Sequence, residues 1–454
     1  MASLASKLTK FAIVRRVGLF VLSLQNIERF GLASFFRYLS YHKASISRKI
    51  SGEYKGSKGP VFALSESYSA FALTAMRSAM REGYEVHLIS RKPSRLELPW
   101  CHHWHKLEAE EDFDEVIRLG QKLGVIAVLI AERDRLVPLQ HKVADSLNVK
   151  SVGEKAALSS DDKQFMREYI KEKPEVDQLM WMSIEHQNDP AIESMHFPAV
   201  FKPVTGTASL GVRKVESIAE VGDAWAELKS MTDVASVRPD KVILEEYING
   251  PQYDVEGVVG SDGELVPLLI VGEDYSDNPP YFAPRLFYFN PPLNDSLREK
   301  ILQSAVSSVK AAGVVAGAWH CELRLCEDGR VVALDYSNRM GYPDLVSLTS
   351  GSDFGQVYVQ SMLDEPLAID AYDRISMVTY YVMNDDELAM WKKIISEGSR
   401  LIRKYSFLGF KLTVLHYKGV IELEGTYEEI TALFNKYSID IEPLRRLVQP
   451  LNAQ

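Results

Sequence analysis

Apolar positions along this chain recur with two different periods, and the switches between them outline its elements. Val61-Phe-Ala-Leu-Ser65 is a short apolar run, as a buried strand requires. Ala72, Leu73, Met76, Ala79 and Met80 then mark one face of a helix ending at Gly83. Residues 84–90 read as a strand, 113–124 as a helix, 125–131 as a strand and 136–147 as a helix. This alternation predicts an open parallel α/β sheet. From residue 159 the rhythm changes. A helix over 159–173, strands over 197–203 and 212–215, and a strand pair at 241–248 and 255–259 predict an α+β region. Asn249-Gly-Pro251 supplies the turn between the last two. A helix at 295–312, a hairpin over 319–336 and a helix near 355–363 complete that region. After Pro366, a strand at 375–383, a helix around 387–404, a strand at 411–417 and a helix at 426–437 predict a small closing α+β unit.

At 454 residues the chain has room for about two to four domains of roughly 100–200 residues each. The expected division is a basic helical extension (1–58), an α/β domain (59–155), an α+β domain (156–365) and the closing unit (366–454). Gly52 to Pro60, rich in Gly, Ser and Lys, acts as a linker. Hydrophobic content of 46% and charged content of 25% are ordinary globular values. No run approaches the ~18 apolar residues of a membrane span. Cys101, Cys321 and Cys326 form no CxxC pair and no even framework, which points to a reducing compartment, the cytoplasm, and gives no support to zinc.

Charge is uneven. Residues 1–58 carry net +9 and the remainder −19. The amphipathic stretch from Phe11 to Leu22 could rest on a membrane surface, since such surfaces attract clustered cations as nucleic acid does. The plainer reading is a helical extension packed on the acidic body or on a second subunit; a homodimer is the symmetry expectation, and no nucleic-acid partner is expected.

In open parallel sheets ligands gather at the carboxyl ends of strands, which places Ser65-Glu-Ser-Tyr-Ser69 and Glu132-Arg-Asp134 near a crevice. Ser67 or Ser69 also reads as a helix cap, and the acids and Arg133 as solvated groups. A dinucleotide site has no support, because GxGxxG is missing from the first turn.

The richest chemistry lies in two stretches. Glu322 stands on one strand of the 319–336 hairpin and Asp335 on the other, followed by Ser337, Asn338 and Arg339. Paired carboxylates of this kind suit Mg2+, and the loop Lys202-Pro-Val-Thr-Gly-Thr-Ala-Ser-Leu-Gly-Val212 could cover substrate phosphates. Strand alternation puts His320, Glu322 and Arg324 on one face and Cys321 on the other. His320 reads equally well as a hydrogen-bonded structural histidine and as a substrate contact.

In their order and spacing these residues resemble the ATP-grasp superfamily of carboxylate-activating ligases, over about residues 61–365. The resemblance implies an ATP-grasp fold preceded by the parallel α/β domain. Lys163, in Asp162-Lys-Gln-Phe-Met-Arg167, is similar to the family's first nucleotide-contacting lysine, and Lys202 to its second. Thr205, Gly206, Thr207, Ser209 and Gly211 would form the phosphate loop. Glu245, Glu246, Tyr247 and Ile248 resemble the stretch that holds adenine and ribose. Glu322 and Asp335, with Ser337, fall where the metal-binding residues stand, and Arg339 where an arginine meets the acyl phosphate or the substrate carboxylate. Many members read Glu, any residue, Asn where this chain has Asp335-Tyr-Ser337, so the second metal position is altered.

The wording Gly317-Ala-Trp-His-Cys-Glu-Leu-Arg324 is closest to the branch that joins amino acids into dipeptides or to other amines. The resemblance therefore implies ATP and Mg2+, with Mn2+ as a substitute. The implied reaction joins a carboxylate and an amine into an amide through an acyl phosphate, with Lys202 and Arg339 catalytic. Glu256, Arg285, His320 and Arg324 are the candidate substrate contacts. Tyr275, Tyr281 and Phe282 would line an acceptor pocket, a role that core or lid packing explains equally well. Two other readings stay open: a nucleotide-binding regulator or scaffold that has lost turnover, and a carboxylase or acid–thiol ligase.

Overall fold

The computed structural model describes residues 56, 58–65, 70–91, 97–107, 113–130, 134–206, 209–231, 241–275, 280–369, 375–407, 410–412 and 415–449. Residues 1–55 of the basic extension, 66–69, 131–133 and Thr207 lie outside these. No described helix is long and apolar enough to cross a membrane.

The expected parallel sheet is formed by β1 (Pro60–Leu64), β2 (Glu85–Ser90), β3 (His103–Lys106) and β4 (Ala127–Ile130), in the order β3-β2-β1-β4 with every pairing parallel. Helices Ala70–Arg81, Phe113–Leu123 and Leu136–Ser146 connect and cover it. Val61, Phe62, Val86, Leu88, Ala127 and Val128 are fully buried between them. β3 was not predicted, because His-Trp-His-Lys on an exposed edge lacks an apolar alternation.

The helix predicted over 159–173 is two, Glu154–Asp161 and Lys163–Ile170. Asp162 interrupts them with an extended backbone, and its side chain caps the second by accepting from Phe165 N–H. A four-stranded antiparallel sheet follows, from β5 (Trp181–Ile184), β6 (Ala199–Pro203), β7 (Arg213–Val215) and β8 (Val242–Glu246), in the order β5-β8-β6-β7. Helix Val221–Ser230 packs on it through buried Trp225, which meets Phe201 edge to face.

An eight-stranded sheet carries most of the rest. It contains β9 (Gln252–Val259), β10 (Leu265–Asp274), β11 (Leu286–Phe289), β12 (Ala318–Leu325), β13 (Val331–Ser337), β14 (Met377–Val382) and β15 (Ile402–Ser406). β16 (Phe410–Leu412) and β17 (Leu415–Tyr417) form a separate small hairpin, and β18 (Gly419–Glu424) rejoins the large sheet, whose order is β13-β12-β9-β10-β11-β14-β18-β15. Helix Asp295–Ala311 lies against β9, β10, β12 and β13, over a core containing Trp319 and Tyr253.

Three expectations are corrected here. The 241–248 and 255–259 strands do not pair: β8 has β5 and β6 on its two edges, and β9 belongs to the large sheet. Asn249-Gly-Pro251 carries the chain between sheets, and Gly250 passes so close to β12 that a Cβ there would lie 1.8 Å from the Leu325 carbonyl oxygen. The helix predicted to reach 404 ends at Ser396, and Gly398, with φ of 73°, turns the chain into β15. The single strand predicted at 411–417 is the β16–β17 hairpin. Strands after residue 366 extend the large sheet through β11–β14 pairing, and helices Asp385–Ser396, Tyr427–Lys436 and Glu442–Val448 cover that end with Trp391, Phe434 and Leu444 buried.

Candidate functional site

A cleft of about 450 Å3 opens between the small and large sheets, with Asp134 from the parallel domain at its rim. The β12–β13 hairpin forms its floor. Glu322 stands opposite Asp335 and His320 opposite Ser337. Alternation turns His320, Glu322 and Arg324 into the cleft and Cys321 into the core beneath. Glu322 and Asp335 keep 34% and 21% of their side-chain surface exposed, enough for their oxygens to reach a ligand. Asn338 points away: its amide donates to the Ala316 and Ala318 carbonyls.

Cations enter from the other side. Lys163 Nζ lies 2.9 Å from Asp335 Oδ2 and donates to the Gly206 carbonyl at 3.2 Å. Burial opposes its charge, but Asp335, Asp134 and Glu322 outweigh burial and hold its pKa above the usual lysine value. On β6, Lys202 Nζ is 2.6 Å from Glu245 Oε2 and 3.4 Å from the Leu334 carbonyl. Arg167, which the family pattern left without a role, places Nε 2.6 Å from the other Glu245 oxygen and donates to the carbonyls of Ala333 and Leu334. It thereby ties the small sheet to β13. Burial would raise the Glu245 carboxyl, yet Arg167 and Lys202 bring it down to about 2.

Gly206 and Ser209 of the phosphate loop face the cleft, whereas Thr205 and Gly211 do not line it. Glu246 and Ile248 line it as well, and Glu246 also accepts from Met180 N–H. Tyr247 stands off the wall, with Lys214 Nζ 4.3 Å above its ring. Arg324 donates to the Ile248 carbonyl at 3.0 Å, while its buried Nε has no hydrogen-bond partner among the described residues.

Arg339 reaches across to the parallel domain, its Nε 2.8 Å from Asp134 Oδ1 and its NH2 3.4 Å from Oδ2. Of the two readings open for Asp134, near a crevice or solvated, the structure has the first: it is a cleft residue. Burial would raise its carboxyl, but Arg339, with a hydrogen bond from Ser337, holds it below the usual range. The arginine and serine are thus oriented by a different domain.

The inner end of the cleft is lined by Glu273 and backed by Asp254 and Glu256, which do not line it; of these acids only Glu256 was expected near substrate. Gln252, Asp254 and Glu256 alternate along β9, and Glu273 faces them from β10. Gln252 Nε2 bridges Asp254 and Glu273 at 3.4 and 3.2 Å. Tyr275 and Tyr342 both donate to Glu273, the latter at 2.6 Å. His320 Nδ1 lies 2.7 Å from Glu256 Oε1, while Nε2 faces Glu322 at 3.5 Å and Asp254 at 3.7 Å. Burial lowers the imidazole's affinity for its proton, but Glu256 and the other acids more than reverse this and raise its pKa well above the usual value. Burial raises both Asp254 and Glu273; the Glu273 charge raises Asp254 further, whereas the hydrogen bond with Asp254 lowers Glu273. Glu256 sits behind His320 and accepts from Gly341 N–H at 2.9 Å. A Cβ on Gly341 would stand 1.8 Å from Glu256 Oε1, so only glycine fits.

Arg285 is not on the cleft wall; it pairs with Glu387, at 2.8 Å from Oε1, and donates to the Tyr381 carbonyl. Tyr275 and Phe282 line the cleft, but Tyr281 does not. The strict alternation of Gln252-Tyr-Asp-Val-Glu256 was the signal available for the acidic wall. Glu273 gave none, because its β10 neighbours are buried on both faces.

Residues 195–341 match the model of the family described as ATP-grasp domain. A D-alanine–D-alanine ligase from Pseudomonas fluorescens is 25% identical over 175 residues, which are 37% of this chain and 51% of that protein. The chain thus spans about half the length of such a curated relative. Among solved structures, an L-amino acid ligase from Bacillus licheniformis superposes with a TM-score of 0.66 at 18% identity, covering 84% of this chain and 97% of the other. The biotin carboxylase domain of a 2-oxoglutarate carboxylase from Hydrogenobacter thermophilus, complexed with MgADP and bicarbonate, superposes at 0.59 with 14% identity, covering 84% and 89%. This chain has the ATP-grasp fold, with a parallel α/β domain before it and a mixed α+β region after it.

Proposed function

We propose that this ATP-grasp protein is an ATP-dependent ligase that joins a carboxylate to an amine through an acyl phosphate. One observation carries the proposal: Glu322 and Asp335 face Lys163 and Lys202 within a single cleft. Such a set neutralises a triphosphate and leaves carboxylate oxygens for a hard divalent ion. Glu322 and Asp335 fit Mg2+, with the Ser337 hydroxyl beside them. When bound there, Mg2+ (or Mn2+) would spread the charge of the phosphate oxygens.

The residues of the chain then have these tasks. Ile248 and Glu246 hold the base and ribose side of ATP, and Lys163, Lys202 and the Gly206–Ser209 loop hold its phosphates. A substrate carboxylate oxygen attacks the γ-phosphorus and ADP leaves; Arg339 stabilises charge on the transferred group. The amine nitrogen attacks the acyl carbon and phosphate departs. Glu273, which lines the cleft and whose carboxyl is raised by burial, is placed to seat the ammonium group and to take the proton it must lose before attack. That acidic end favours an amino-acid-type acceptor, and Arg324 offers a donor for an oxygen of substrate or nucleotide.

The test is phosphate release by the purified chain across paired panels of carboxylic acids and amines. Release only when both are present supports the ligase, and a hydroxamate formed with hydroxylamine supports the acyl phosphate. Tight ATP binding with no ADP formed across the panel would leave the regulator reading in its place.

A further inference from the structure

Outside the cleft, the exposed edge of the parallel sheet gathers three imidazoles and a carboxylate that no step above uses. His87 on β2 and His103 on β3 are direct register partners, and Glu85 lies two residues before His87 on the same face. His103 Nε2 is 2.9 Å from Glu85 Oε1, and His87 Nε2 is 3.4 Å from the same oxygen. The three ligand atoms all lie within 4.8 Å of one another. None of the three residues lines the cleft.

A second, independent observation concerns His87. Its side chain is only 3% exposed, and its buried Nε2 has no hydrogen-bond partner among the described residues. Leaving a buried polar nitrogen unpaired costs free energy. The other ring nitrogen is occupied: Nδ1 lies 2.9 Å from His105 Nε2, the two rings stacked within 8° of parallel. If His87 Nδ1–H donates to His105, the Nε2 lone pair is directed at Glu85 and His103. This is the arrangement by which an outer partner fixes the tautomer of a metal-ligating histidine. His102 takes no part through Nδ1, which accepts from Val86 N–H.

We propose that Glu85 Oε1, His87 Nε2 and His103 Nε2 form a binding site for a divalent transition-metal ion of the Zn2+ class, with His105 as a positioning residue behind His87. Donors around a tetrahedral ion at Zn–N of about 2.0 Å stand ~3.3 Å apart, close to the two separations found. Two imidazoles and one carboxylate suit this ion better than Mg2+. The remaining coordination position opens to solvent, since His103 is 53% exposed. Bound metal would clamp β3 to β2, an edge strand whose four residues bury little surface of their own. The cysteine count could not signal such a site, because its ligands are histidines brought together by strand pairing.

The test uses the full chain, stripped by chelator and then titrated with Zn2+ or Co2+ in excess Mg2+, so that the cleft acids are already engaged. Wild type and Glu322→Gln should both show a tetrahedral Co2+ absorption band and a Zn2+-dependent rise in melting temperature. His103→Ala, at an exposed position, should lose the band and the rise while keeping the metal-free melting temperature and ADP-forming turnover. His105→Ala should weaken Zn2+ binding by roughly tenfold or more. An absent band in wild type, or a band that survives His103→Ala and disappears with Glu322→Gln, would overturn the proposal.

Discussion

The two walls of the cleft handle buried charge in opposite ways. On the small-sheet side each cation comes with its carboxylate: Lys202 and Arg167 share Glu245, and Lys163 rests on Asp335. On the large-sheet side Asp254, Glu256 and Glu322 crowd around His320, with Glu273 beside Asp254. The walls therefore differ in whether charge is balanced within the protein. Paired ions are held in position before any ligand arrives, which is what phosphate recognition requires. Crowded acids gain most when a cation enters, so the acidic wall is suited to a metal ion near Asp335 and an ammonium group deeper in.

The sharpest way to break this contrast is Glu322→Gln, which keeps size and removes one charge from the crowded wall. Because Glu322 is part-exposed and surrounded by other acids, the fold should hold its stability. Phosphate release should fall about 10²–10³-fold, the cost typical of losing one electrostatic group aimed at the reacting charge. Turnover within about twofold of wild type, measured at saturating ATP and Mg2+, would show that the paired carboxylates do not hold the metal.

Legibility in the sequence followed the same division. The parallel domain was readable because β1, helix Ala70–Arg81, β2 and β4 keep local apolar periods. The paired elements Lys202, Glu322 and Asp335 were readable because they sit in short motifs. Arg167 and Glu245 were named within their motifs, but nothing local disclosed that they would meet across 78 positions. Glu273 belongs to a strand buried on both faces, where a carboxylate looks like an exception to an apolar run; Asp254 was marked by the alternation along β9, which went unread. β8 and β9 were misjoined because turn chemistry indicates that the chain bends, without saying which sheet it enters. The 387–404 helix was overextended because Ile402 and Lys404 continue a plausible helical face until Gly398 breaks it.

The balanced wall can be probed by acid. Glu245 has a folded pKa of about 2 against an ordinary 4.5. The unfolded chain binds the proton first, so the stabilisation is fully present above about pH 4.5 and is lost as pH falls through about 2. Its full size is about 3 kcal/mol. Denaturant unfolding of wild type and Glu245→Gln should give curves that converge on acidification from neutral pH. Parallel curves across that window would mean that Arg167 and Lys202 do not stabilise the ionised form.

A smaller effect separates the two ends of the acidic wall. Glu273→Gln removes an acid that lines the cleft, contacts neither Lys163 nor Lys202, and keeps an oxygen for the Tyr275 and Tyr342 hydroxyls. If Glu273 seats the ammonium group, the KM for the amine should rise about tenfold, near 1.4 kcal/mol, from loss of that partner. The KM for ATP should stay within about twofold, because the proposed nucleotide contacts lie on the balanced wall. The split between the two constants is the informative result. Equal rises in both would mean that the substitution disturbs the hairpin as a whole, and an unchanged amine KM would move the acceptor away from the acidic end.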